Sequence, residues 1–182
     1  MLSVYRVILD FDNYQYIMAD EVEALTKYRF DGTSVRNDWE PPSIYRANPK
    51  KPTPDIWGCM PFGAVFAVTL KAATELVTFI DQSCEGLPME CDGDRLLVCN
   101  VTCVVNALNK KQSRHKRGLP HWIDEYVFHP HRFEYSLFKI PETAMSEVLC
   151  VEGLAAPEDE FKGVVEKNGL KGLEFKKIWS GG

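Results

Sequence analysis

The chain has 182 residues, of which 45% are hydrophobic and 26% charged, and its net charge is −5. That length suits one domain with a substantial core, and no window approaches the roughly 18 uninterrupted apolar residues of a membrane span. The acidic balance also departs from the broadly basic surface of a dedicated nucleic-acid binder.

The N-terminal stretch MLSVYRVILDFDNY carries Arg6, Asp10 and Asp12 and has no small-residue cleavage site. It reads as a strand and not a secretory leader, so a cytoplasmic location is expected. Tyr5, Val7, Leu9 and Phe11 alternate with Arg6, Ile8 and Asp10, the period of a half-buried strand. After the DNY turn, QYIM is expected to pair back as a hairpin. ADEVEALTKY then predicts a short helix with Val22, Leu25 and Thr26 on one side. Five prolines between 41 and 54 predict an irregular connection, anchored by Trp39 and Trp57.

VTLKAATELVTFIDQS has helical spacing, with Thr69 as N-cap and Leu70, Ala73, Leu76, Val77 and Ile80 on one face. DRLLVCNVTCVVNALN predicts a long strand over 94–109, and YVFHPHRFEYSLFKIP predicts two short strands around the HPH turn. EVLCVEGL adds a further strand. PEDEFKGVVEKNG signals a helix started by Pro157 and ended by Gly169, and LKGLEFKKIW closes the chain as a strand. Strands outnumber helices without regular alternation. The expected class is therefore α+β: a mostly antiparallel sheet with two main helices, plus an irregular proline-rich N-terminal region.

Six cysteines in a chain with this much apolar content are expected to be free thiols, mostly small core residues. Cys99 and Cys103 fall on one face of the predicted strand. At about 3.3 Å per residue they stand about 13 Å apart, too far to share an ion or a disulfide. His129-Pro130-His131, with His115 or His121, is the remaining metal candidate, and it lacks the ligand spacing of a known site. No nucleophile elbow, phosphate-binding glycine loop, dinucleotide fingerprint or HExxH occurs. The expectation is a protein that is not an enzyme and has no catalytic residue, metal or cofactor.

Residues 110–139 carry seven basic and three acidic side chains, which makes them the one basic segment of an acidic chain. Lys110, Lys111, Arg114, Lys116 and Arg117 predict an exposed loop. No aromatic residue interrupts this run to stack on bases, so nucleic acid is not the expected partner. With Trp122, Trp39, Tyr45 and Trp57 as aromatic anchors, these residues are the candidate partner-binding set.

Four ordered segments carry a family resemblance: PDIWGCMPFGAVFAVTLKAATELVTFI, RLLVCNVTCVVNALNKKQS, LFKIPE and DEFKGVVEKNGLKGLEFKKIW. Together they resemble the eleventh numbered family of immunity proteins from bacterial polymorphic toxin systems, formerly a domain of unknown function. The likeness covers roughly residues 54–179. Asn106 and Asn109 stand where that pattern has aspartate. The resemblance implies a boundary near residue 53. Residues 1–53 would hold N-terminal strands, a short helix and the proline-rich connection as a small lobe or as added strands, and 54–182 the immunity-protein-like domain. It further implies a cytoplasmic antidote that binds and neutralises a cognate toxin by direct contact, with no cofactor and no membrane. The alternative, read from the basic run alone, is a nucleic-acid-binding accessory protein using residues 110–117.

Overall fold

The computed structural model describes residues 1–182, apart from the side chains at positions 22, 25, 62 and 63. In chain order the first strands are β1 (Leu2–Leu9), β2 (Tyr16–Ala19), β3 (Ile44–Ala47), β4 (Ile56–Met60) and β5 (Phe62–Thr69). They are followed by β6 (Cys84–Cys91), β7 (Asp94–Val101), β8 (Arg114–Lys116) and β9 (Leu119–Glu125). The last are β10 (Leu137–Phe138), β11 (Leu149–Glu152) and β12 (Leu173–Gly181). The α-helices are α1 (Val22–Thr26), α2 (Leu70–Glu75), α3 (Val77–Ser83) and α4 (Phe161–Lys167).

A four-stranded antiparallel sheet has the order β10-β11-β1-β12. A six-stranded sheet has the order β3-β2-β4-β5-β7-β6, antiparallel except where β2 meets β4. The class is α+β with mostly antiparallel sheets. The chain's first strand lies inside the smaller sheet, and β2 and β3 extend the larger one.

The period-two alternation of β1 is real, and both of its faces are used. Tyr5, Val7 and Leu9 enter a core shared with Phe66 and Val68 of β5, Cys99 and Val101 of β7, and the inner faces of α2, α3 and α4. Val4 faces the other way, into a second cluster with Leu108, Phe128, Phe138 and Leu149. The larger sheet is likewise covered on its far side, where Val65, Ala67, Leu96 and Val98 meet Tyr28, Phe30 and Val35. Burial on both faces explains the near-continuous apolar run of β7.

Several expectations require correction. QYIM does not fold back on β1. Asp10 accepts from the Asn13 backbone N–H at 2.9 Å, and this turn sends the chain into the other sheet, where β2 pairs with β3 and β4. The expected inward pairing of Val22 and Leu25 on α1 lies outside the described side chains. The proline-rich connection contains two short strands, β3 and β4, because prolines 49, 52 and 54 fall between them. The single predicted helix over 69–83 divides at Leu76, whose backbone leaves helical geometry with φ −99° and ψ 11°. Ala72, Leu76, Phe79 and Ser83 form the buried face, and Leu70 and Val77 point outward. Thr69 does cap this helix, its hydroxyl accepting from the Ala72 N–H at 3.3 Å.

The strand predicted over 94–109 ends at Val101. Beyond it the chain runs across the outer face of the smaller sheet, touching it through a parallel bridge from Val104 to Lys139. The segment around His129-Pro130-His131 forms a 3-10 turn over Pro130–Arg132, and only β10 is a regular strand there. The closing strand forms as expected and Gly169 at φ +60° ends α4, but that helix begins only at Phe161: Pro157 opens a separate 3-10 turn over Pro157–Asp159, set apart by extended Glu160 at φ −118° and ψ 142°. Gly172 sits at φ +111°, and a Cβ there would lie 1.9 Å from the Ile56 carbonyl oxygen, so only glycine lets β12 approach β4 so closely. All six cysteines are free; burial pushes the Cys59 and Cys84 thiols up to about 12.

The strap over 27–40 that covers the larger sheet is fastened by buried polar groups. Lys139 is 0% exposed and donates from Nζ to the Phe30 carbonyl at 2.7 Å. Burial pulls its ammonium down to about 8, against smaller opposing influences from Cys84 and Asp31. Buried Glu85 accepts from the Val35 N–H at 2.7 Å, the Ser34 hydroxyl at 2.6 Å and the Asn100 amide at 2.8 Å. Burial favours its neutral form, but these bonds outweigh it and hold the carboxyl below its ordinary value. Trp39 completes the attachment by donating to the Pro88 carbonyl at 2.9 Å.

Candidate functional site

The basic run is half of a projecting two-stranded ribbon, not a loop. β8 and β9 pair antiparallel and reverse at Arg117-Gly118, where Gly118 takes φ +78°. At the base, Ser113 donates its hydroxyl to the Val127 carbonyl at 3.1 Å and accepts from the Val127 N–H at 3.0 Å. Along the ribbon Arg114 pairs with Glu125 at 2.6 Å. Of residues 114–125 only Ile123 is buried; it is driven into the cluster that holds Phe128 and Leu149. Strand alternation then forces its neighbour Trp122 outward, where it is 63% exposed. The Lys116 ammonium lies 5.4 Å from the centroid of that indole.

Between the ribbon and the outer face of the smaller sheet lies a cleft of about 640 Å³. Lys116, Trp122 and Asp124 line its ribbon side, with Arg6 of β1, Lys176 of β12 and Glu147 opposite. Arg6 and Lys176 are direct partners in the β1–β12 register, which places both on this face. The floor is tied together internally. Arg6 Nη2 donates to the Tyr126 hydroxyl at 2.9 Å and pairs with Glu147 at 2.8 Å, and the Tyr126 hydroxyl donates to Glu147 at 2.7 Å. Burial, then the Glu147 carboxylate, pushes the Tyr126 phenol well above its ordinary value. Its proton stays in place across the physiological range.

The candidate residues separate into distinct places. Lys110 pairs with Glu142 at 3.0 Å, and Lys111 and Arg117 have no ion-pair partner among the described residues. Trp39 is half-buried against Tyr28, and 42%-exposed Tyr45 lies on β3, at the edge of the other sheet. Trp57 is 1% exposed and lies in the core beneath Arg46, so it offers nothing to a partner. The structure thus joins Lys116 and Trp122 to Arg6, Glu147 and Lys176, which sequence reasoning missed. Knowledge of the β1–β12 pairing would have revealed Arg6 and Lys176, whereas Glu147 precedes β11 and is placed by its bonds to Arg6 and Tyr126.

Among the described residues, no group of three His, Cys, Asp or Glu side chains is placed to hold a metal ion. His129 and His131 lie 5.8 Å apart by ring centroid, while His115 Nδ1 meets the Pro120 carbonyl at 2.7 Å on the ribbon. No helix among the described residues is long and apolar enough to cross a membrane. Compared with known proteins, the chain matches no family model and no curated protein.

Proposed function

We propose that this chain is a non-enzymatic immunity protein of the cytoplasm, which neutralises a cognate bacterial toxin by direct protein–protein contact. The family likeness of residues 54–179 motivates the reading, and the projecting ribbon is the observation that carries it. A 63%-exposed tryptophan braced by a lysine, on a ribbon whose residues are almost all solvent-facing, has the composition of an interface anchor. The mutually bonded Arg6–Tyr126–Glu147 network suits a preformed binding surface better than proton transfer. Occlusion needs a complementary surface of about 1,200–2,000 Å² in total and no cofactor.

Co-expression with the toxin encoded beside this gene is the direct test. Survival of the host and co-purification of the two chains are expected. A toxin that is neither bound nor restrained refutes the reading.

One observation favours nucleic acid as a second reading: the ribbon brings Trp122 beside Lys116, supplying the aromatic that the basic run lacks in sequence. That reading requires affinity that falls steeply with salt and vanishes when Lys110, Lys111, Arg114, Lys116 and Arg117 are neutralised together.

A further inference from the structure

Resting on the partner-binding reading, we infer that the cleft beneath the ribbon receives an acidic segment of the partner protein, with its carboxylates between Lys116 and Lys176 and its chain against Trp122. Charge is unevenly distributed over the chain. Residues 110–125 together with Lys176 hold six basic and two acidic side chains, a local +4 in a chain of −5, which leaves −9 on the rest. An acidic segment is therefore repelled by most of this surface and attracted at one place, a field that orients the encounter and speeds it.

Only some of these cations remain available. Arg114 and Lys110 are engaged by Glu125 and Glu142, and Arg6 is neutralised by Glu147. Lys116 and Lys176 have no ion-pair partner among the described residues, and both line the cleft, one on the ribbon and one on β12. Asp124 is the single carboxylate of the lining outside the Arg6 network. It stands on the ribbon and bars a second acidic group from that side.

β12 is the edge strand of its sheet, bonded only to β1, so the cleft runs beside an open strand edge. Trp122 supplies the apolar wall on which a partner chain can pack while its carboxylates reach the two lysines. A basic partner face is excluded here by Lys116, Lys176 and the neighbouring Lys111 and Arg117.

The test uses labelled poly-L-glutamate as the probe, with poly-L-lysine and single-stranded oligo-dT as comparators, followed by fluorescence anisotropy on the full chain. Saturable binding of poly-L-glutamate at low salt is expected, weakening roughly tenfold or more in Lys116→Glu/Lys176→Glu and in Trp122→Ala. The charge-matched control Lys50→Glu/Lys167→Glu, at two exposed positions away from the cleft, should bind as wild type. Circular dichroism checks that each variant is folded. The inference is overturned by absence of saturable poly-L-glutamate binding, by equal binding in the cleft variant, or by tighter binding of oligo-dT. Self-association of the chain that the cleft substitutions abolish overturns it as well, by making a second copy the occupant. Toxin co-expression separates the two proposals. A cleft variant that still neutralises the toxin sinks the acidic-segment inference alone; a wild-type chain that binds poly-L-glutamate through the cleft but restrains no toxin sinks the toxin reading alone.

Discussion

Lys139 offers the sharpest test of the fold's internal electrostatics. Its ammonium is fully buried, makes one hydrogen bond of 2.7 Å to the Phe30 carbonyl, and titrates at about 8 instead of 10.5 because burial penalises the charged form. The unfolded chain keeps the ordinary value, so between these two values the unfolded state binds more protons than the native one. Stability from this group therefore rises as pH climbs through about 8, is complete above about 10.5, and is absent below about 8. Integrating from pH 7 to pH 10 gives about 2.5 kcal/mol in favour of the folded state. Other groups titrate in this window, so the quantity to measure is a difference between two proteins. Urea unfolding of the wild type and of Lys139→Met, at both pH values and under reducing conditions, isolates the lysine. Cys84, the nearest thiol by charge, is pushed up to about 12 and stays protonated throughout. The wild type should gain on Lys139→Met by about 2.5 kcal/mol over the window. A difference that stays constant to within about 0.5 kcal/mol would falsify the placement of this amine in a dry, strap-covered site.

Glu160 should be a second strong determinant of stability, because its buried Oε1 accepts backbone N–H groups of Gly153, Leu154 and Ala155 at 2.8, 2.6 and 2.9 Å. Glu160→Ala strands those donors at the entrance to α4 and should cost about 2–4 kcal/mol by urea unfolding, and a loss below about 0.5 kcal/mol would show that water replaces the carboxylate without penalty. The two tryptophans of opposite exposure should behave oppositely. Trp57→Ala should destabilise by about 3–5 kcal/mol in thermal and urea melts, while Trp122→Ala should change stability by less than about 0.5 kcal/mol. A comparable loss at Trp122 would mean that the ribbon is held by that indole, not by Ile123 and the Ser113 bonds.

Local chemistry was legible wherever its cause was local. The Thr69 cap, the Gly169 stop and the closing strand all depend on residues within a turn or two of one another. The alternation of β1 was equally plain, because an apolar period of two needs no knowledge of the partner strand. Legibility ended where the partner had to be known. The β8–β9 ribbon was hidden because Arg114, His115 and Lys116 lack apolar alternation; their strand is held by pairing to β9 and not by burial. The helix over 69–83 had ambiguous phase, since Leu70 and Val77 are as apolar as the residues that are buried. Only the packing of Leu76 and Phe79 against Phe161 decided which face turned inward.

The sequence by itself determined the α+β class, the strand and helix character of most segments, the thiol state of the cysteines and the single basic stretch on an acidic chain. These follow from composition, periodicity and turn chemistry, which act between near neighbours. Tertiary structure alone decided that β1 and β12 pair, and so that Arg6 and Lys176 share one face at opposite ends of the chain. It also decided that Trp57 is sealed in the core while Trp122 stands in solvent, although both are tryptophans on strands with similar local sequence signals. Exposure is set by which surfaces are brought together over long sequence separations, and local pattern carries no record of that choice.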